Sequence, residues 1–309
     1  MSKSTRNFII VILAFVLVFA LLPSFKNALS GLSEENTDES SAIDESNEES
    51  SDIDMESSEE EGSDESTEEE TIVRATYELD YMLNPDEASY AVTGFANISG
   101  AENGIELVIP SEHNGLPVTV IEIDAFRENA DIVSVSIPET IDSIGDDAFR
   151  DCPNISYIYF NAANMRDLTA SPFMFSGNRI VVLIGNKVTR IPNYLFGPNY
   201  PSSEYAPRIS TVTFEEGSIC TEIGTYAFYY HSIGSFVAPS TLLKVGMYGL
   251  MGFLPGIYDF TACENVVTFA ENDFLSMYSS FTFYVSEEHY FEYKDLPIFA
   301  LYPNAIVKK

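Results

Sequence analysis

One phrase keeps returning along this chain, and it limits the fold to a few possibilities. Ile137-Pro138-Glu139-Thr140-Ile141-Asp142-Ser143-Ile144-Gly145-Asp146-Asp147-Ala148-Phe149 is followed by Asp151-Cys152-Pro153-Asn154-Ile155 and a β-like run, and parts of it recur on both sides. The aromatic of a helical turn is read at Phe126, Phe149, Phe175, Phe196 and Phe228, is replaced by Leu250, and returns at Phe274. These positions lie 23, 26, 21, 32, 22 and 24 residues apart. A unit of that length is too short to fold alone but suits one coil of a solenoid. Each coil then buries its apolar edge only against its neighbours.

Alternation of period two places a short strand at the start of each coil, with Val135/Ile137, Ile158/Phe160, Val182/Ile184, Val212/Phe214, Phe236/Ala238, Tyr258/Phe260 and Phe281/Phe283 inward. Stacked one per coil, these strands form a parallel sheet. Its outward positions read Ser136, Tyr159, Leu183, Thr213, Val237, Asp259 and Thr282, beside Ser134, Tyr157, Val181, Thr211 and Ser235. Ile144-Gly145, Ile223-Gly224 and Val245-Gly246 mark a second extended stretch in which glycine allows a tight bend. The third coil, 161–177, lacks that element, and the fourth carries about nine extra residues around 197–207. An open solenoid end exposes core and unpaired strand groups, so both ends need caps. The alternating segments 77–81 and 90–95 predict an N-terminal hairpin, and 287–309 a C-terminal cap.

Lys3 and Arg6 precede an unbroken apolar run of fifteen, Phe8 to Leu22, ended by Pro23, and Ala28-Leu29-Ser30 offers a cleavage site. Residues 1–30 therefore read as a signal peptide or, uncleaved, as a membrane anchor. Ser33 to Glu70 holds 19 acidic residues and no Lys or Arg, so 31–72 reads as a disordered, self-repelling stalk. The remainder carries 29 acids against 12 bases. An acidic body of this kind excludes nucleic acid as a partner. The domain organisation that follows adds an N-terminal β cap at 73–104, a solenoid of about seven coils at 105–285, and a C-terminal cap at 286–309.

The same residues resemble the BspA-like leucine-rich repeat family, whose units read Ile-Pro, Ile or Val, Ile-Gly, Ala-Phe, a small residue such as Cys, and an aliphatic pair. Ile137 to Ile158 matches nearly throughout. Ile109-Pro110 through Val118-Thr119 to Ala125-Phe126 is similar to the family's longer opening unit, and Phe214 to Phe228 is similar to a later one. The resemblance implies a leucine-rich-repeat-type solenoid, β-rich with short helical turns. It also implies a secreted or cell-surface protein, usually bacterial, serving adhesion or recognition, with no shared catalytic residues.

Chemistry-bearing residues are scattered. Cys152, Cys220 and Cys263 lie far apart and read as buried apolar thiols, and His113, His231 and His289 as loop or surface residues without a neighbouring nucleophile. No catalytic, cofactor or metal set is expected. The candidate ligand surface comprises Tyr157, Tyr159, Val181 and Leu183 on adjacent strands, the insertion tyrosines Tyr200 and Tyr205, and Tyr229 with Tyr230. The expected partner is an extracellular protein or glycan, with membrane contact only through the N-terminal segment if uncleaved. The alternative is a structural envelope spacer.

Overall fold

The computed structural model describes residues 75–177, 179–198, 206–252, 256–270, 281–300 and 302–309. The expected signal segment and stalk, together with Tyr200, Tyr205 and Phe274, lie outside the described residues. Each coil contributes one strand to a nine-stranded sheet in which every pairing is parallel. The expected seven strands gain one on each side, Ile105–Val108 before and Ile306–Lys308 after. One inward row runs through Leu107, Val135, Ile158, Val182, Val212, Phe236, Tyr258 and Phe283, all buried. β-branched and aromatic residues alternate here with polar ones, so one face of each strand packs into the coil and the other faces out.

A second ladder of two-residue strands runs along another side. Val120 and Ile121 pair with Ser143–Ile144, and separately Arg190–Ile191, Glu222–Ile223, Lys244–Val245 and Thr268–Phe269 stack in order. The gap between the two parts is the third coil, the one without the Ile-Gly element. There Arg166 N–H donates to the Asp142 carbonyl at 3.0 Å and Leu168 N–H to that of Asn193 at 3.3 Å, so isolated bonds replace a strand.

The glycines of this ladder serve a purpose other than the expected bend. Gly145, Gly224 and Gly246 do not have positive φ. A Cβ at Gly224 would instead come within 2.6 Å of the Asn193 backbone nitrogen, and at Gly246 within 2.7 Å of that of Thr225. Glycine thus sets how closely one coil can approach the next. Gly224→Ala is expected to cost about 1–3 kcal/mol through overpacking, read as a lower urea midpoint, and an unchanged midpoint would show that the coils can separate freely.

Between the two ladders runs a stack of phenyl rings. Phe95, Phe126, Phe149, Phe173, Phe196 and Phe228 follow one another with centroids 5.0, 5.3, 4.9, 5.5 and 5.4 Å apart. The third-coil member is Phe173, which corrects the expected Phe175 and evens the spacing to 24 and 23 residues. Backbone register decides this. The Phe149 N–H donates to the Pro172 carbonyl at 2.9 Å, as the Phe126 N–H does to that of Ala148 at 2.8 Å, so Pro172 stands where other coils have Ala. Ser171 completes the link: its hydroxyl accepts from Phe173 N–H and donates to the Leu195 carbonyl.

Both ends are closed. The hairpin Thr76–Leu83 and Tyr90–Ser99 is antiparallel, and its second strand joins Leu116–Ile121 in parallel. Tyr77 reaches the first strand of the long sheet, where its hydroxyl accepts Val108 N–H at 2.7 Å and donates to the Glu106 carbonyl at 3.1 Å. At the other end the short helices α1 (Tyr290–Lys294) and α2 (Pro297–Ala300) pack Tyr293 and Phe299 against Phe283, and the Tyr293 hydroxyl accepts Val267 N–H at 2.9 Å. In the strand Thr282–Val285 the inward pair is Phe283 and Val285. Tyr284 therefore lies opposite Asp259, where Thr282 was expected, and Thr282 lies opposite Ile257.

Candidate functional site

The long sheet brings together the four strand residues singled out from the sequence. Tyr157 pairs with Val181 and Tyr159 with Leu183, on adjacent strands. Tyr157, Val181 and Leu183 are half-buried, but Tyr159 is only 8% exposed and does not form an open surface. The reason is Glu215, two coils away, whose Oε2 accepts from the Tyr159 hydroxyl at 3.3 Å and from Asn186 N–H at 2.8 Å. Burial first, then the Glu215 charge, raises the Tyr159 phenol above the usual tyrosine range; burial, Tyr159 and Glu215 do the same at Tyr157. Glu215 thereby ties three coils together. Tyr159→Phe removes one hydrogen bond, long at 3.3 Å, and is expected to cost about 1 kcal/mol, measured by thermal unfolding. A neutral result would make the bond incidental.

Tyr229 and Tyr230 lie elsewhere, on the helical-turn side, and they have company that the sequence reading missed. Tyr194, Tyr226 and Tyr248 each precede the ladder position of Phe196, Phe228 and Leu250 by two residues. The backbone sets them side by side, with Tyr194 N–H donating to the Thr225 carbonyl and Tyr226 N–H to that of Met247. Tyr194 and Tyr226 stack at 5.0 Å and 7°, and Tyr226 and Tyr248 lie 5.2 Å apart at 48°. Tyr229 meets Tyr226 edge-on at 4.9 Å, and Tyr230 lies 4.1 Å from Tyr229. Tyr229 is buried, while Tyr194, Tyr226, Tyr230 and Tyr248 are partly open. Burial and the neighbouring phenols raise both Tyr226 and Tyr229. The insertion leaves its coil at Gly197, where a Cβ would meet Tyr229.

The row stands on an unusual backbone. Asp124 and Asp147 hold the same turn position in the first coils with φ 55° and 59°, and Tyr194, Tyr226 and Tyr248 continue it at 59°, 56° and 56°. Aspartate tolerates the left-handed region because its short side chain bonds locally, whereas a bulky aromatic there is an outlier. The shared offset from the ladder ring was the signal in the sequence.

The remaining reactive groups are dispersed. All three thiols are buried, with burial pushing Cys152 up to about 11 and Cys220 and Cys263 up to about 12. His113 stacks on Tyr81 at 3.7 Å in the hairpin cap, and His289 meets Glu292 at 3.2 Å. His231 was expected on a loop or surface but is 1% exposed. It occupies the position three residues after the ladder ring, held by Cys152 and Ser176 in other coils, with its Nδ1 accepting Ile233 N–H and its Nε2 bonded to the Leu250 carbonyl, both at 2.9 Å. Among the described residues no three His, Cys, Asp or Glu gather as a metal site. A groove of about 380 Å³ follows the ladder gap along Val120–Ile123, Ser143–Asp146 and Asp167–Thr169.

A family model described as BspA type leucine rich repeat region matches residues 119–254 and 221–295, in six copies. Similar solved structures include a leucine rich cell surface protein from Faecalibacterium prausnitzii, at 19% identity over 63% of this chain and 53% of that one, TM-score 0.29. The match thus spans about half of that relative's length. A leucine rich repeat protein of T. pallidum is 20% identical over 67% of this chain and 83% of that one, TM-score 0.31. One from Bacteroides ovatus is 12% identical over 67% and 70%, TM-score 0.24. No curated protein matches the chain.

Proposed function

Since the chain belongs to the BspA type leucine-rich repeat family, we propose that it is an exported, non-catalytic recognition or adhesion protein of a bacterial cell surface. In this reading the solenoid is held away from the envelope by the acidic segment and binds an extracellular protein or glycan. The observation that carries the reading is the tyrosine row of Tyr194, Tyr226 and Tyr248. Tyrosine supplies large, rigid contact area with a polar tip, and it is enriched where proteins bind other molecules. A turn that two aspartates serve without strain has no structural need of three aromatics.

A spacer with no ligand is the second reading, and Ser134, Ser136, Thr211, Thr213, Ser235 and Thr282 along the outer sheet favour it. The experiment is a binding screen of the full chain, as exported, against panels of immobilised extracellular matrix proteins and glycans. Saturable binding to a member of either panel is the expected result, and absence of binding to both returns the protein to a spacer.

A further inference from the structure

We propose that the tyrosine row is a glycan site that takes an uncharged, hydroxyl-rich chain along the solenoid axis, one sugar to a coil. This deepens the recognition reading and rests on it.

The rings limit what can approach them. Tyr194 and Tyr226 are stacked face to face at 5.0 Å, so the faces between them cover each other. What a stacked pair of partly open rings leaves to a ligand is chiefly its edges, which carry the positive end of the quadrupole. A cationic ligand needs a ring face. An anionic one would approach a body with 29 acids to 12 bases. An oxygen-rich neutral ligand fits both conditions, since its hydroxyl oxygens meet the ring edges and can bond the phenols.

The nearby cations are paired. Arg190 and Lys244, the cations that precede this row in its coils, are paired with Asp167 at 2.8 Å and Glu222 at 3.0 Å. Among the described residues these two cations are therefore engaged and are not left to hold an anion.

The period of the row fits such a chain too. The rings follow at 5.0 and 5.2 Å, set by a coil rise of about 4.8 Å. An extended β-linked hexose chain repeats on the same scale, so successive sugars meet successive tyrosines. A peptide strand lying along the axis advances by about 3.3 Å per residue and falls out of step with the rings.

The test is calorimetric titration of the full chain with soluble, neutral β-linked hexose and N-acetylhexosamine oligomers of two to six units, beside a panel of matrix proteins. At least one neutral series is expected to bind, with affinity rising with length up to the span of three coils and unchanged between low and high salt. Tyr226→Ala is expected to weaken binding roughly tenfold or more. Tyr226→Phe, which keeps the ring and removes only the hydroxyl, should weaken it by about threefold with unfolding unchanged. Binding of neutral oligomers that ignores both variants overturns the site. Binding of a protein alone, intact in Tyr226→Ala, overturns the glycan and leaves the recognition reading standing. No binding to either panel overturns both.

Discussion

Phe149→Ala is expected to lower the unfolding free energy by about 3–5 kcal/mol, the largest single-residue loss in the first coils. The ring is fully buried, stacked at 5.3 Å on Phe126 and at 4.9 Å on Phe173. Truncation removes its transfer free energy and leaves a cavity bounded by two rings that backbone bonds hold in place, so the site cannot collapse. Because coils in a solenoid touch only their neighbours, the loss weakens two interfaces at once. Urea unfolding followed by near-ultraviolet signal measures it. The contrasting variant is Phe175→Ala, whose ring is half-buried with the Arg150 guanidinium 4.8 Å from its centroid. That contact is worth about 0.5–1 kcal/mol, and equal losses at the two positions would remove Phe173 from the stack.

Acidification from pH 6.5 to 4 should destabilise the fold through His231 by about 3 kcal/mol. Burial lowers its imidazole to about 4. The folded state therefore keeps the ring neutral while the unfolded chain, at the ordinary value near 6.5, takes up a proton. Stability from this group is complete above the unfolded value and is lost as pH falls towards the folded one. The geometry agrees: Nδ1 accepts the Ile233 N–H, so the proton resides on Nε2 and is donated to the Leu250 carbonyl, which also accepts from the Tyr258 hydroxyl at 3.3 Å. A proton on Nδ1 would set two donors against each other. His231→Asn is the comparison, since Asn129 holds the equivalent position and its Oδ1 accepts Asp131 N–H at 2.9 Å. The wild type should lose more stability than the variant between pH 7 and 4.5, with the carboxylates common to both. Parallel pH profiles would mean that the ring does not stay neutral in the fold.

The repeat made the solenoid legible because a period in the low twenties admits few other architectures, and strand alternation placed seven strands of the long sheet. The end strands were hidden because Ile105–Val108 and Ile306–Lys308 lie in segments that lack the full repeat phrase. Phe173 was missed for a local reason: Phe173 and Phe175 flank Met174, Pro172 replaces the usual Ala, and only the hydrogen-bond register separates them. The pairing of Tyr157 with Val181 and of Tyr159 with Leu183 was legible, since register follows from alternation. Tyr159's burial was not legible, because Glu215 reaches it from 56 residues away. The tyrosine row and His231 were both readable as fixed offsets from the ladder ring, two before and three after. Tyr229 and Tyr230 are adjacent in sequence, whereas the members of each column lie 22 to 32 residues apart.

The Tyr77 hydroxyl bears on how such a molecule avoids growing. A strand at the end of a parallel stack is a template, and a second copy arriving edge-on would find the same row of donors and acceptors that each coil offers the next. Tyr77 takes one donor and one acceptor of that row, Val108 N–H and the Glu106 carbonyl, with a single oxygen. In the language of polymerisation the phenol is a chain terminator, matching one rung of the incoming strand without supplying the next. Length is then set chemically at this end as well as by the number of repeats, and Tyr77→Phe, which keeps the packing and removes the oxygen, is expected to free both groups for a second copy, read as concentration-dependent self-association in size-exclusion chromatography.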